Sequence, residues 1–269
     1  MSEFKEIINE IINDAPPGET QEVYADLLKI TSEANADTVL ECIESRNVKT
    51  VTRVFIPELD QFSLVSEFNA DKDERAKFWD PVAMCRFAVD HLHLKAVDVE
   101  LDVQEKALND AQGKLYEDLK KYVTGAYPND VATVGVFPQE EEEDVIRICI
   151  VAEKLNPANY WNGSWKSKYH YNVKEETLEG EINVYVHYFE DGNVNFQSGK
   201  EVKLQGSDVV QLIKEVETQF ENELMTSFTD LNEKQFKNLR RRLPITRSKV
   251  NWGKAIGNYR LGRDAAQGL

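Results

Sequence analysis

"INVYVHYFEDGNV", Ile182 to Val194, is the stretch on which the fold turns. Ile182, Val184, Val186 and Tyr188 fall on one side, and Asn183, Tyr185, His187 and Phe189 on the other. A period of two is the repeat of an extended strand, whose successive side chains point to opposite faces. Large apolar groups stand on both sides, which predicts a central strand covered on both faces. The Asp-Gly pair in "EDGN" (Glu190 to Asn193) then suits a two-residue hairpin, because Gly192 tolerates positive φ. A second strand runs back from Val194.

The same period continues upstream. In "VIRICIVA" (145–152), Ile146, Ile148 and Ile150 alternate with Arg147, Cys149 and Val151. In "WKSKYHYNV" (165–173), Trp165, Ser167, Tyr169, Tyr171 and Val173 alternate with Lys166, Lys168, His170 and Asn172, a half-exposed strand. Residues 131–204 therefore read as an antiparallel meander of about five strands. Downstream, a long helix begins near Ser207-Asp208, with Val209, Leu212, Ile213, Val216, Phe220, Leu224 and Leu231 in one stripe suited to lie across a sheet. "DLNE" offers Asp230 as a cap with Glu233 three residues on, a place to kink or restart. Continuous to Arg242, the helix would span roughly 50 Å at about 1.5 Å per residue. Pro244 ends it.

At the N-terminus, Phe4, Ile7, Ile8, Ile11 and Ile12 form a single helical stripe that "DAPPGE" stops. Further stripes at Val23, Tyr24, Leu27 and Leu28, then at Val39, Leu40 and Ile43, make an up-down-up helical module. Residues 48–68 look extended, 70–101 are ambiguous between strand and helix, and 103–123 return to a helical pattern with Leu108, Leu115, Leu119 and Val123 on one face. The expected class is α+β. Its expected divisions are a helical module (1–46), a mixed connecting region (47–130), an antiparallel sheet (131–204), a long helix (205–245) and a C-terminal amphipathic arm (246–269).

The chain has 269 residues, 41% of them hydrophobic, enough to bury a sizeable core. No apolar run approaches a membrane span of about 18–20 residues, and the acidic N-terminus does not read as a secretory signal. Cys42, Cys85 and Cys149 lie far apart, which fits buried apolar residues in a reducing cytosol. His91 and His93 would share one strand face, but nothing completes a metal set. His170 and His187 fall on neighbouring predicted strands, where cross-strand packing explains them. "QEEEED" (139–144) reads as a solvated loop. "GNYRLGRD" (257–264) lacks the Lys-Ser/Thr pair and the strand-helix context of a phosphate loop. No catalytic constellation, cofactor site or metal site is expected.

Charge is distributed unevenly. The segment from Lys234 to Arg263 holds ten Lys or Arg and no acid, while the whole chain carries −16; removing the segment's +10 leaves −26 on the rest. Wound as a helix, residues 249–262 place Trp252, Ala255, Ile256 and Tyr259 on one apolar face, flanked by Lys249, Arg260 and Arg263, with Lys254 opposite. Gly253, Gly257 and Gly262 each cost about 1 kcal/mol relative to alanine, and a helix this short is marginal in water. The arm is expected to fold fully when a partner accepts its apolar face.

"VHYFEDGNV" (Val186 to Val194) and "FKNLRRRLPITR" (Phe236 to Arg247) resemble the two signature motifs of the F-actin-capping protein alpha-subunit family, and "NYWNGSWKS" (Asn159 to Ser167) is similar to its Trp-rich strand. The order of elements agrees over nearly the whole chain, most closely with fungal members. The resemblance implies a cytoplasmic protein of the cortical actin cytoskeleton and an obligate heterodimer with a beta subunit. It implies calcium-independent binding to the barbed end of the actin filament, blocking subunit addition and loss. It further implies that Lys237, Arg241 and Arg247 contact actin and also meet phosphatidylinositol bisphosphate. Arg240, Lys249, Trp252, Lys254, Ile256, Tyr259 and Arg260 complete the expected actin-binding set.

Magnitudes suit a mixed interface. Ten exposed ion pairs at about 0.2–1 kcal/mol each give roughly 5 kcal/mol, while nanomolar affinity needs about 12. Burial of Trp252, Ile256 and Tyr259 at roughly 1.5–3 kcal/mol each covers much of the shortfall, less the cost of ordering the arm. The alternative reading is a basic-tailed phosphoinositide- or nucleic-acid-binding interaction protein. The acidic body argues against nucleic acid.

Overall fold

The computed structural model describes residues 3–230, apart from 73, 75, 105, 128–130, 140–143, 191 and 192. The chain divides into two units, Met1–Glu215 and Val216–Leu269, with the boundary inside its last described helix.

Three helices open the chain: α1 (Glu3–Asp14), α2 (Thr20–Thr31) and α3 (Ala36–Lys49). The expected stripes supply their shared core of Ile8, Ile12, Leu27, Val39, Cys42 and Ile43. The stripe on α1 is split, however, because Phe4, Ile7 and Ile11 are exposed while Ile8 and Ile12 are buried. Arg46 ties the module's corner, donating to the Ala15 carbonyl at 2.7 Å and to Thr20 Oγ1 at 3.0 Å.

A first sheet follows: β1 (Thr52–Ile56), β2 (Gln61–Val65), β3 (Lys77–Asp80), β4 (Cys85–Asp90) and β5 (Lys95–Glu100), in spatial order β2-β1-β5-β4-β3. The ambiguous stretch 70–101 is thus three short strands. Four-residue turns join β3 to β4 and β4 to β5, as one joins β1 to β2, and each ends in a left-handed residue: Met84 (φ 50°), Leu94 (φ 53°) and Asp60 (φ 49°) respectively. Neither Met nor Leu announces such a position, so the turns are hidden from turn chemistry. All neighbours are antiparallel except β1 and β5, which run parallel with Phe55 opposite Lys95. Val54, Ile56, Val65, Phe78, Cys85, Phe87 and Ala96 form the core of this sheet.

The helix expected over 103–123 is α4, Asp110–Ala126. It starts later because Asn109 and Gln112 form a reciprocal capping box, at 3.0 Å each way, that fixes the first turn. Leu108 therefore precedes the helix.

The second sheet is the expected meander: β6 (Ala132–Pro138), β7 (Val145–Asn156), β8 (Trp161–Asn172), β9 (Thr177–Tyr188) and β10 (Val194–Gln205), antiparallel and in chain order. On β8, Ser167, Tyr169 and Tyr171 are buried in the expected phase. The central strand is β8 rather than β9, and the strand buried on both faces is β7, from Ile148 through Ala152. On β9, Ile182 and Val184 are buried while Asn183 is exposed. Coverage depends on what lies against each face, which periodicity does not encode. Tyr169 stands opposite Gly180, where a Cβ would approach the Lys168 carbonyl oxygen to 2.1 Å and Tyr169 Cα to 2.9 Å.

The β9–β10 connection is longer than the two-residue turn expected from Asp-Gly. Tyr188 is opposite Val194, leaving residues 189–193 between the strands. Asp191 and Gly192 lie outside the described residues, as do four positions of the "QEEEED" loop.

The long helix is described as α5, Val209–Asp230, with Val209, Ile213, Val216, Phe220 and Leu224 as its buried apolar positions and Glu217 buried beside them. Asp208 caps it, its Oδ1 accepting from the Gln211 amide at 3.0 Å. The Tyr171 hydroxyl faces the Gly206 and Ser207 carbonyls at 3.2 and 3.3 Å, fixing the end of β10 to β8. The continuation expected to Arg242, the Asp230–Glu233 restart and the arm at 246–269 lie outside the described residues. Among the described residues no helix is long and apolar enough to cross a membrane.

Candidate interaction surface

Two of the three quoted motifs meet at one end of the second sheet. Antiparallel pairing of β8 and β9 puts Trp161 opposite Tyr188, Asn162 opposite His187 and Gly163 opposite Val186. The Trp-rich stretch and the first signature motif are therefore one structural unit. Phe189 leaves the ladder and turns its ring onto His187, with centroids 4.8 Å apart. Tyr160 meets the same ring edge-on at 5.8 Å, and its carbonyl accepts the Phe189 amide at 2.9 Å. This aromatic cluster explains why the turn is wider than Asp-Gly alone suggests. Tyr160 occupies a left-handed conformation, φ 59°, at the end of a single 3-10 turn, which swings the ring into place.

A polar network lies beneath the rings. His187 is buried, with Nδ1 at 2.6 Å from Glu19 Oε1 and Nε2 at 2.9 Å from Asn193 Oδ1. Asn162, also buried, donates through Nδ2 to Glu19 at 3.4 Å and accepts the Asn156 amide through Oδ1 at 3.0 Å. Glu19, from the Pro-Pro-Gly-Glu turn between α1 and α2, thus joins the helical module to both motifs. Sequence reasoning missed it, since nothing in a surface-type glutamate marks a partner 168 residues away. The Asp-Gly side of the motif adds Tyr188, whose hydroxyl bonds Glu190.

The histidine expectations need correction. His170 and His187 do occupy neighbouring strands but are not paired: His170 is opposite Glu179 and His187 opposite Asn162. His170 instead sits against Arg147 Nη1, at 3.1 Å from its Nδ1, and edge-on to Phe68. His91 and His93 belong to the turn between β4 and β5, not to a strand face. His93 binds Asp90 at 2.8 Å, whereas both His91 nitrogens are buried without a hydrogen-bond partner. Burial lowers the His91 pKa from 6.5 to about 4.

Ion pairs elsewhere brace the fold. Arg86 reaches Glu100 at 2.6 Å and Glu74 at 2.9 Å, and Lys77 reaches both acids at 2.7 Å. Hydrogen bonds from Lys77 and then Arg86 hold the Glu100 carboxyl below its ordinary range. Cys42, Cys85 and Cys149 are free and buried, as expected of apolar roles. Desolvation raises the Cys85 thiol to about 12, which removes it from nucleophilic chemistry near neutrality. Among the described residues no group of three or more His, Cys, Asp or Glu is placed to hold a metal.

The charge asymmetry continues along the last helix. The described turns of α5 carry Glu215, Glu217, Glu221, Glu223 and Asp230 against Lys214, and the sequence inverts to unopposed cations from Lys234 to Arg263. Every sequence-expected actin contact lies past that inversion. Lys237, Arg240, Arg241, Arg247, Lys249, Trp252, Lys254, Ile256, Tyr259 and Arg260 are outside the described residues.

Comparison with known proteins gives a consistent picture. Residues 8–264 match the family described as F-actin capping protein alpha subunit. The F-actin-capping protein subunit alpha of Saccharomyces cerevisiae is 49% identical, the alignment covering 99% of this chain and 98% of that one. The Candida glabrata counterpart is also 49% identical, over 99% of each chain, and the Neurospora crassa one 36%, over 100% and 98%. Among solved structures, the homodimeric actin capping protein alpha subunit from Plasmodium berghei superposes with a TM-score of 0.62 at 17% identity. It covers 86% of this chain and 95% of that chain, a likeness of fold.

Proposed function

Because the chain belongs to the F-actin capping protein alpha subunit family, we propose that it caps the barbed, fast-growing end of actin filaments. It does so as one half of a heterodimer with a beta subunit, blocking both addition and loss of actin subunits. The observation that carries this reading is the length of the match: residues 8–264 take in the β9–β10 motif, the helix α5 and the whole basic segment from Lys234 to Arg263. The family is one of actin-binding proteins rather than enzymes. Binding needs no calcium, and the site of action is the cortical actin cytoskeleton.

The contacts are assigned to the basic segment and the arm. Lys237, Arg240, Arg241 and Arg247 meet acidic actin surface first, because like-for-unlike charge speeds and orients encounter more than it adds affinity. Lys249, Lys254 and Arg260 extend that contact. Trp252, Ile256 and Tyr259 then bury their apolar face and slow departure. Phosphatidylinositol bisphosphate competes for Lys237, Arg241 and Arg247, so lipid acts as a regulator rather than as the primary ligand. The structural role of the His187 cluster is to fix the β9–β10 hairpin and the helical module to one another.

The test is co-expression with a beta subunit, followed by elongation from filament seeds. Purified dimer should halt barbed-end growth at substoichiometric amounts relative to actin monomer. Growth at the control rate would overturn the reading.

A further inference from the structure

On the face of the second sheet that meets the helical module, three cross-strand rows run outward from β8: Ser164–Tyr185–Gln197, Lys166–Asn183–Gly199 and Lys168–Glu181–Glu201. Burial falls away along them. Val151 and Cys149, opposite Lys166 and Lys168 on β7, are fully buried, whereas Asn183, Gln197 and Gly199 are exposed. A cavity of about 640 Å³ occupies this step, walled by Arg46 and Lys49 from the last turn of α3 and reaching Gln197 and Gly199 on β10. That strand is the edge of the sheet, with no neighbour on its outer side among the described residues, and a long bare edge needs cover. Gly199 keeps the floor flat: the nearest atom to its missing Cβ is Asn183 Oδ1, at 2.9 Å. Glycine inside a strand marks a place where another backbone comes close.

Charge in the cavity is unbalanced. Arg46, Lys49, Lys166 and Lys168 line it, with Glu153 and Glu181 as the lining carboxylates. Lys168 takes Glu181 at 2.6 Å. Lys166 is left with Thr52 Oγ1 at 3.5 Å and Glu153 at 3.6 Å, although its side chain is 19% exposed. Arg46 donates to neutral oxygens, those of Thr20 and the Ala15 carbonyl. Desolvation lowers the pKa of both Arg46 and Lys166, and Glu153 is the carboxylate that opposes the shift in each. One glutamate thus serves two half-buried cations, on a chain whose net charge is −16. A cation withdrawn from water is costly unless a counter-charge closes on it with good geometry. The rest of the wall is polar, with the amides of Asn13, Gln21, Asn183 and Gln197, so its complement is a hydrogen-bonding segment rather than an apolar one.

We propose that in the heterodimer an acidic segment of the beta subunit fills this cavity, its carboxylates pairing with Lys166 and Arg46 above the floor at Asn183 and Gly199. This contact rests on the heterodimer reading above and adds to it a place and a charge. A chain segment suits the site better than a small anion does, because the lining spans three strands, reaches the sheet edge and has a glycine where a backbone can approach. The pairing is desolvated on both sides, so it governs how slowly the subunits part rather than how fast they meet.

The experiment is subunit exchange in the co-expressed dimer, read by mixing labelled with unlabelled dimer. Lys166→Met removes the cation at nearly constant shape. It leaves the partner's buried carboxylate unpaired, so exchange should accelerate about tenfold or more. A role confined to this chain predicts no acceleration, since replacing an ill-paired buried cation by an apolar side chain is neutral or stabilising. Each Asp and Glu of the beta subunit is then neutralised to Asn or Gln, against wild type and against Lys166→Met. One of these changes should speed exchange in wild type and add nothing in Lys166→Met, the mark of a direct pair. Where Lys166→Met prevents recovery of dimer, Lys49→Gln, an exposed change at the rim, takes its place in the cycle. Exchange at the wild-type rate in the variant overturns the proposal. Faster exchange with no beta-subunit carboxylate coupled to it also overturns it, and assigns the cavity to a small anion or to water. Both results leave the heterodimer reading intact; that reading fails instead, and this contact with it, if the wild-type chain and a beta subunit do not co-purify.

Discussion

His187, near the end of β9, and Glu19, in the turn between α1 and α2, are joined at 2.6 Å although 168 residues separate them. The bond is buried on the histidine side and shared with Asn162 and Asn193. Glu19→Ala leaves two buried polar side chains short of a partner, at a cost of about 1–3 kcal/mol. Urea denaturation of the dimer should show a lower midpoint. Seeded elongation should show unchanged capping per folded molecule, since this bond positions elements rather than touching filament.

The unpartnered ring of His91 makes stability depend on acidity. Folding lowers its pKa from 6.5 to about 4, with Asp90 as the charged neighbour opposing that shift and Phe78 stacked edge-on. Between those values the unfolded chain holds a proton that the folded chain refuses. Stability is therefore intact above pH 6.5 and falls as pH drops toward 4, by at most about 3 kcal/mol. Urea midpoints measured from pH 7 to 4 should follow that slope. His91→Leu should flatten it; an unchanged slope in the variant would assign the acid sensitivity to other groups.

Gly180 is required by contact rather than by turn geometry. A methyl group there would meet the Lys168 carbonyl at 2.1 Å, so Gly180→Ala must displace β8 from β9 and should cost about 1–3 kcal/mol or more. Gly113, inside α4 with nothing within 4 Å of its missing Cβ, is the matched control. Gly113→Ala should stabilise by roughly 0.5–1 kcal/mol. Thermal melts of the two variants should move in opposite directions.

Reversing Lys237, Arg241 and Arg247 together to Glu should slow the arrival of the dimer at filament ends while leaving it folded. Steered association falls steeply with salt, so the gap between wild type and variant should narrow as ionic strength rises. Capping kinetics at low and moderate salt provide the measurement. Identical association rates at low salt would remove these residues from the encounter.

Removing residues 248–269 should act on the opposite limb. If Trp252, Ile256 and Tyr259 are the apolar anchor proposed above, dissociation from barbed ends should accelerate by tenfold or more without them, about 1.4 kcal/mol per factor of ten. Dilution of capped seeds followed by regrowth reads that rate directly. A truncated dimer that leaves no faster would show that the arm is not an anchor.

The meander was legible because four of its strands are 12 residues long, and six repeats of a two-residue period cannot be mistaken. The first sheet was not, because its strands run four to six residues and their turns end on Asp60, Met84 and Leu94 in the left-handed region. Short periods bounded by unmarked turns leave strand and helix indistinguishable. Burial was half legible: the stripe on α1 gave its axis, but Ile8 and Ile12 go in while Ile7 and Ile11 stay out. The segment proposed to meet actin, Lys237 to Arg260, reads as charge and motif, and that reading concerns residues outside those the structure describes. Glu19 was invisible, since it gains meaning only from chain that is distant in sequence.

The parallel seam between β1 and β5, with Phe55 opposite Lys95 and its amide donating to the Leu94 carbonyl at 3.0 Å, sets how the smaller sheet comes apart. On either side lie ribbons paired with near neighbours in the chain, β1 with β2 and β3 with β4 and β5. Each ribbon can form early and alone, whereas the seam must wait for some forty residues to close. Amide exchange should therefore be quickest along this suture, and the two ribbons should part there before either loses its own ladder.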